Sequence, residues 1–82
     1  MIKYAHNTDV IGIIIPNNWD ENGRVVQIAI YTNKEDVYLV EHNRREKELL
    51  NFINKRVSVK GKVVEGIDGN KLMAVNNYSV RF

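Results

Sequence analysis

The sequence predicts an all-β domain with one short helix, built from five strands in the order β-β-β-α-β-β. The first observation behind this prediction is a series of short apolar segments that alternate with polar residues and end at turn residues, which is typical of strands. The second is a single stretch, residues 43–55, whose apolar residues recur at helical spacing. The third is the length of 82 residues, which predicts one domain over residues 1–82, with residues 1–7 able to fray.

The first strand contains the apolar run VIGIII at residues 10–15, with Gly12 inside it. Pro16 follows directly, and because proline has no backbone N–H we expect the run to end there. Residues 17–23, NNWDENG, consist largely of turn-forming residues. They are predicted to form the first loop.

The second and third strands are joined by a short polar turn at residues 33–36. Residues 24–32 alternate as a strand does, and three of their apolar residues are expected on the inward face: Val26, Ile28 and Ile30. Residues 37–41 form the third strand. Its alternation leaves two inward faces open, one with Val37 and Leu39 and the other with Tyr38 and Val40.

The helix is predicted over residues 43–55, about three turns. Asn43 is a typical N-cap residue, and Glu46 three positions later completes a capping-box pattern. Four apolar residues lie at helical spacing: Leu49, Leu50, Phe52 and Ile53.

The fourth strand, residues 56–65, contains the sequence RVSVKGKV. Its inward face carries three valines, Val57, Val59 and Val63, together with Gly61. Its outward face carries Ser58, Lys60 and Lys62. After a turn at 65–70, the fifth strand covers residues 71–82. Met73 and Val75 are out of phase there with Tyr78 and Val80, which predicts a β-bulge at Asn76 and Asn77.

Four features of the sequence resemble the OB-fold superfamily over essentially the whole chain. They are the glycine inside the first strand (VIGII), the amphipathic helix between strands three and four, the strand RVSVKGKV and the turn into KLMAV. The chain is most similar to the small stand-alone OB-fold proteins of bacteria, many of which have no assigned function. The resemblance implies a five-stranded Greek-key barrel. The rival fold is an SH3-like or other small β-barrel that carries a helix.

Two glycines on apolar strand faces fit the same resemblance. A small sheet closes into a barrel only where some strands bend, and glycine leaves room where two chains crowd. Gly12 and Gly61 would lie at such positions, on strands that are neighbours in the barrel. We therefore expect both glycines to have a structural role.

Basic charge is concentrated in the middle of the chain. Residues 1–43 carry three basic and six acidic side chains, a net charge of −3, whereas residues 44–64 carry seven basic and two acidic, a net charge of +5. The whole chain has a net charge of only +2, which by itself does not indicate a polyanionic partner.

The resemblance implies binding of single-stranded DNA or RNA across strands two and three and the loops that frame them. Carried over to this chain, Trp19 and Tyr31 would stack on bases, and Arg24 and Lys71 would contact phosphates. The framing loops, however, contain no basic residue and four acidic ones: Asp20, Glu21, Glu65 and Asp68. Such carboxylates repel phosphates.

Other basic residues lie outside that groove. Lys60 and Lys62 point outward from strand four, and further basic residues lie on or beside the helix. We therefore expect a non-enzymatic binding module with weak nucleic-acid binding at six candidate residues: Trp19, Arg24, Tyr31, Lys60, Lys62 and Lys71.

A protein–protein interaction or assembly module is the alternative, and it stays open. Trp19 lies in a polar loop, where it either folds back to plug the end of the barrel, the role we favour, or stands exposed as an interface anchor. The last strand ends in Tyr78, Val80 and Phe82, and such an end can pair with the edge of another chain.

No pattern in the sequence indicates catalysis, a metal or a cofactor. Glu41 and His42 are neighbours, but adjacent strand residues point to opposite faces, so we expect their side chains not to meet. The chain has no cysteine, which excludes a disulfide framework and cysteine-ligated metals. The first residues lack a signal-peptide pattern and no apolar run is long enough for a membrane span, so we expect a cytoplasmic protein.

Overall fold

The computed structural model describes the backbone of residues 2–66 and 69–81, and the side chains from residue 6 onward. Five strands and one short helix follow one another as predicted, so the all-β class with a helix between strands three and four is confirmed. The strands are β1 (Ile2–Trp19), β2 (Val25–Thr32), β3 (Val37–Val40), β4 (Arg56–Gly66) and β5 (Lys71–Arg81). The helix α1 covers Arg44–Leu49 and continues into a 3₁₀ turn at Leu50–Phe52.

The five strands form one sheet that closes on itself in the order β1-β2-β3-β5-β4. Strand β1 closes the sheet because its first part pairs with β4 and its last part pairs with β2. Both pairings are antiparallel. Residues 2–7, the segment able to fray, belong to the part of β1 that pairs with β4. Strands β3 and β5 pair in parallel, and the remaining pairs are antiparallel.

The core lies inside the closed sheet and is built by alternation along every strand. In β4 the three predicted valines, Val57, Val59 and Val63, are buried. In β3 the structure selects one of the two open alternatives, since Val40 is buried and Tyr38 packs against the core. Along β5 the bulge is confirmed, because Lys60 pairs with Asn77 and the next residue, Gly61, pairs with Val75.

Both interior glycines lie where two strands approach closely, as predicted. A Cβ atom on Gly61 would overlap the carbonyl oxygen of Ala74 in β5. A Cβ atom on Gly12 would lie 2.5 Å from the carbonyl oxygen of Tyr31 in β2. Real Cβ atoms do not approach oxygen so closely, so any larger residue would force the strands apart.

The first strand is longer than the sequence predicted. It runs through Pro16 to Trp19, so the loop predicted at residues 17–23 is reduced to residues 20–24. The pairing with β2 is irregular at this point, because Pro16 pairs with Ile28 and Asn18 with the next residue, Gln27. Proline is tolerated in a sheet at such irregularities, since its missing N–H then interrupts no regular ladder.

The inward face of β2 also differs from the prediction at one end. Ile28 and Ile30 are buried as expected, but Val26 is exposed. The pairing passes from Gln27 to Val25 without Val26, so the alternation changes phase at this residue. Val25 packs against the core in its place.

The helix is shorter than the predicted span of residues 43–55. The side chain of Asn43 accepts a hydrogen bond from the Glu46 N–H at 3.0 Å, so the predicted N-cap is confirmed. The helix ends before residue 55 because the chain turns back toward β1. The Asn54 N–H donates to the Ile14 carbonyl at 2.7 Å, with Asn54 in the left-handed region at φ 71°.

The helix is held against β5 beside the bulge. The guanidinium of Arg45 donates to the backbone carbonyl of Asn76 at 3.3 Å. The Tyr78 hydroxyl donates to the Glu48 carboxylate at 2.8 Å, and the ring of Phe52 lies 6.4 Å from that of Tyr78. Among the described residues, no helix is long and apolar enough to cross a membrane.

Candidate functional site

The closed sheet separates the six predicted binding residues into two groups. Trp19, Arg24, Tyr31 and Lys71 lie on β1, β2, β5 and the hairpin between β1 and β2. Lys60 and Lys62 lie on β4 and point away from the core, because they alternate with buried residues. Tyr31 and the two lysines of β4 belong to different outer faces of the sheet, whereas Lys71 has the parity of the buried Met73 and lies beside Tyr38 on the inward side of β5.

The first of these surfaces, here called the apolar face, covers β1, β2, β3 and the start of β5. Its residues alternate with core residues and therefore point outward. They are Ile11, Ile13, Ile15, Ala29, Tyr31, Val37, Leu39 and Leu72, of which Ala29 is buried. Several are well exposed for apolar side chains: Ile11 by 45%, Tyr31 by 40%, Val37 by 41% and Leu72 by 37%. None of the residues of this face carries a charge.

Trp19 does not plug the end of the barrel, and that expectation is wrong. Its side chain is 53% exposed at the end of β1, where Trp19 pairs with Val25. The neighbouring hairpin is closed by Asp20, whose carboxylate accepts the backbone N–H groups of Asn22 and Arg24, each at 2.9 Å. The Arg24 side chain is exposed, and the same loop also carries the carboxylates of Asp20 and Glu21.

The ammonium group of Lys71 already has a partner. It lies 3.3 Å from the Asp36 carboxylate and 5.4 Å from the centre of the Tyr38 ring. The hydrogen bond to Asp36 raises the pKa of Lys71 above its ordinary value. A phosphate at this position would have to compete with that carboxylate.

The second surface, here called the basic face, is formed by β4 and β5 from their outward residues. These residues are Arg56, Ser58, Lys60, Lys62, Ala74, Asn77, Ser79 and Arg81. Four of them are cationic and none is acidic. The nearest carboxylate in the pairing scheme is that of Asp9, which lies opposite Lys60 on β1.

The pairing of β4 with β5 places like residues opposite each other on the basic face. Arg56 is the direct partner of Arg81, and Ser58 is the direct partner of Ser79. From the sequence, Arg56 is expected only beside the helix, and Arg81 is not among the six candidate binding residues. The alternation in RVSVKGKV contained the signal for Arg56, because it has the same parity as Ser58 and Lys60.

One cross-strand row joins the basic face to the apolar face. Arg81 pairs with Arg56, Arg56 with Ile13, Ile13 with Tyr31, and Tyr31 with Val37. Adjacent strands lie about 4.8 Å apart, so two strand steps separate Arg56 from Tyr31 by about 10 Å along the sheet. A flexible ligand bound at the arginines can therefore reach the aromatic ring.

The remaining described titratable residues include one close histidine–carboxylate contact. His42 lies 3.5 Å from the buried carboxylate of Glu46 at the start of the helix, an i, i+4 contact. Within the part of the chain that the structure describes, no group of three or more potential metal ligands occurs. Of the four loop carboxylates considered from the sequence, that of Asp68 lies outside the described residues, as does Phe82.

Comparison of the chain with models of protein families, with curated proteins and with solved structures found no match.

Proposed function

We propose that the closed sheet is an OB-fold. The support is the element order with the helix between β3 and β4, and the double pairing of β1 with β2 and β4. The close approaches at Gly12 and Gly61 add to it, because they lie on the neighbouring strands where the resemblance expects bends.

We propose further that the chain is a non-enzymatic module that binds single-stranded nucleic acid weakly, through the basic face. The observation that carries this proposal is the set of four cationic side chains on the outward side of β4 and β5, with no carboxylate among them. Phosphate contacts of this kind give affinity and orientation without reading sequence. We therefore expect little preference among sequences.

Tyr31 extends this surface toward the bases. Its ring is 40% exposed and lies in the same cross-strand row as Arg56. Bases of any identity can stack on such a ring. Because the sheet curves around the core, a flexible single strand follows the row more easily than a duplex, whose persistence length is about 150 base pairs.

The groove that OB-folds commonly use is less well supported here. Lys71 is paired with Asp36, and the hairpin that carries Arg24 also carries Asp20 and Glu21. The middle of that surface is the apolar face, which offers stacking at Tyr31 but no further cation. We therefore assign phosphate contact mainly to the basic face.

The test is a titration of fluorescent single-stranded DNA and RNA at low and physiological salt. The charge-reversed variant Lys60→Glu/Lys62→Glu should bind about tenfold more weakly or worse, because it places two carboxylates beside the phosphates. A matched control is Lys34→Glu/Lys47→Glu, which makes the same change of charge at exposed positions outside the basic face.

Equal losses in both variants would show that only the net charge matters. Loss on Trp19→Ala without loss on Lys60→Glu/Lys62→Glu would move the site to the loops. Absence of binding at low salt would refute nucleic-acid binding altogether.

A protein–protein interaction module is the second candidate, and the exposure of the apolar face favours it. Uncharged, partly exposed surfaces of this kind are typical of interfaces. Sizing chromatography and a pull-down with wild type and Val37→Ser/Leu72→Ser would test it. An assembly or partner that this variant loses would support the second candidate.

A further inference from the structure

The pairing of Arg56 with Arg81 lowers the stability of the fold when no anion is bound. Directly opposed residues of an antiparallel pair lie about 4.5–5.5 Å apart, and like charges there are destabilising. Both side chains are exposed, and no ion pair to either is present among the described residues. An anion placed between the two guanidinium groups would remove the repulsion.

The next pair along the strands supplies neutral donors. Ser58 and Ser79 oppose each other two residues away from the arginines, on the same outward face. Side chains two residues apart on a strand are separated by about 6.8 Å, which is within the reach of an arginine. Two guanidinium groups and two hydroxyl groups are therefore donors to the same space, and guanidinium groups bind phosphate oxygens in pairs.

The groups that border the site favour a strand with several successive phosphates. Lys60 and Lys62 continue along β4 at the same spacing of two residues, beyond the serines. On the other side, Ile13 lies opposite Arg56 and is apolar. A phosphate between the arginines would thus have further cations in one direction and an apolar surface that suits bases in the other.

We infer that Arg56, Arg81, Ser58 and Ser79 form a phosphate clamp across the seam between β4 and β5. Its ligand is a phosphate group of the nucleic-acid strand, and the inference in this form rests on the proposed function. The clamp accounts for two arginines at a position where one acidic residue would stabilise the sheet. It also assigns the two arginines to a single phosphate group, which they hold jointly.

The experiment is an NMR titration of the isotopically labelled protein with methyl phosphate and with dimethyl phosphate, at constant ionic strength. Methyl phosphate represents a terminal phosphate, and dimethyl phosphate represents a phosphodiester within a strand. We expect shifts confined to the Arg56, Ser58, Ser79 and Arg81 signals. We expect Arg81→Ala to weaken binding about tenfold or more, in line with the loss of charge-assisted hydrogen bonds.

A second measurement uses stability in the absence of phosphate. Arg81→Glu should raise the melting temperature, since it replaces a like-charge pair by an opposite-charge pair, and should abolish the phosphate shifts. The matched variant Lys34→Glu, which makes the same change of charge at an exposed position outside the basic face, should keep the phosphate shifts. Stronger shifts with methyl phosphate would assign the clamp to strand ends, and stronger shifts with dimethyl phosphate would assign it to the interior of a strand.

Two outcomes would overturn the clamp: equal shifts at all lysine and arginine residues, or a lower melting temperature for Arg81→Glu. The proposed function fails in a different way. If methyl phosphate binds at the clamp but no oligonucleotide binds at low salt, the anion site stands and nucleic-acid binding does not. If oligonucleotides bind and Arg81→Ala has no effect on them or on phosphate, the clamp is refuted and the function stands.

Discussion

The basic face and the apolar face are outer surfaces of the same sheet and share a common core, yet they differ in every chemical property. The basic face carries four cations and small polar residues, whereas the apolar face carries no charge and exposes branched and aromatic side chains. The inward positions beneath both faces are mostly apolar, with Thr32 as a buried polar exception, because they fill one closed interior. The outward positions are not needed to fill this interior. Their difference therefore does not follow from the packing of the core.

Of the changes that would disrupt one of the two faces, we expect Gly61→Ala to have the largest effect on stability. Its Cβ would overlap the backbone of Ala74, so β4 would be forced away from β5 and the two halves of the basic face would separate. We expect a loss of at least about 3 kcal/mol in the free energy of unfolding, measured by urea denaturation.

The control is Gly69→Ala, where no atom lies within 4 Å of the added Cβ but φ is 85°. It should cost only about 1–2 kcal/mol, from the left-handed backbone. Equal losses at the two glycines would contradict the close approach of β4 to β5.

An intermediate effect should appear in the salt dependence of nucleic-acid binding. If the four cations of the basic face contact three phosphates, one of them shared by the two arginines, the logarithm of the association constant should fall with the logarithm of salt concentration with a slope of about −2. That slope weakens binding about 20-fold between 50 and 200 mM salt. Lys60→Ala/Lys62→Ala should bring the slope closer to zero by about 1.4, measured by fluorescence anisotropy.

Tyr31→Ala is the matched change on the apolar face. It should lower affinity at every salt concentration without changing the slope, since it removes stacking and no charge. A slope that changes with Tyr31 and not with the two lysines would reverse the assignment of the two faces.

The smallest effect concerns the contact that holds the helix beside the basic face. The hydrogen bond from Tyr78 lowers the pKa of Glu48 below its ordinary value of 4.5 and raises the pKa of Tyr78 above its ordinary value of 10.0. A lowered carboxyl pKa stabilises the fold above pH 4.5, and this contribution is lost as pH falls through the lowered pKa. A raised tyrosine pKa stabilises the fold below pH 10.0, and this contribution is lost as pH rises through the raised pKa.

Tyr78→Phe should therefore reduce the free energy of unfolding most between pH 4.5 and pH 10.0, and less on either side. Denaturation of both proteins across this range measures the difference. Nucleic-acid affinity at neutral pH should stay close to that of wild type, because Tyr78 points inward. A difference that is constant from acid to neutral pH would contradict this account of the ion–hydroxyl contact.

Much of the fold could be predicted because one physical signal, alternation, is local. The valines of RVSVKGKV, the helix start at Asn43 and the bulge near Asn76 all follow from neighbouring residues. The errors occur where a partner strand or the core overrides the local pattern. Val26 is exposed because the pairing with β1 skips it, and the helix ends early because Asn54 bonds to Ile14.

The candidate site was predictable only in part, for the same reason. Alternation alone assigned Lys60 and Lys62 to an outward surface, and Tyr31 was proposed through the resemblance to OB-folds. Arg81 could not be matched to Arg56 without the structure, since the extra residue at the bulge sets the register between their strands. The exposure of Trp19 also depends on tertiary structure, because a tryptophan in a polar loop can pack inward or outward.

By itself the sequence determined the class, the order of the elements and which side of most strands is apolar, because these depend on residue type and spacing. Gly61 was already recognisable as a position where a side chain would not fit. Only the tertiary structure decided which strands meet, that Ala74 is the group that excludes a Cβ there, and that two arginines face each other. Strand pairing joins residues far apart in the chain, and its register is set by bulges and closure rather than by any local pattern.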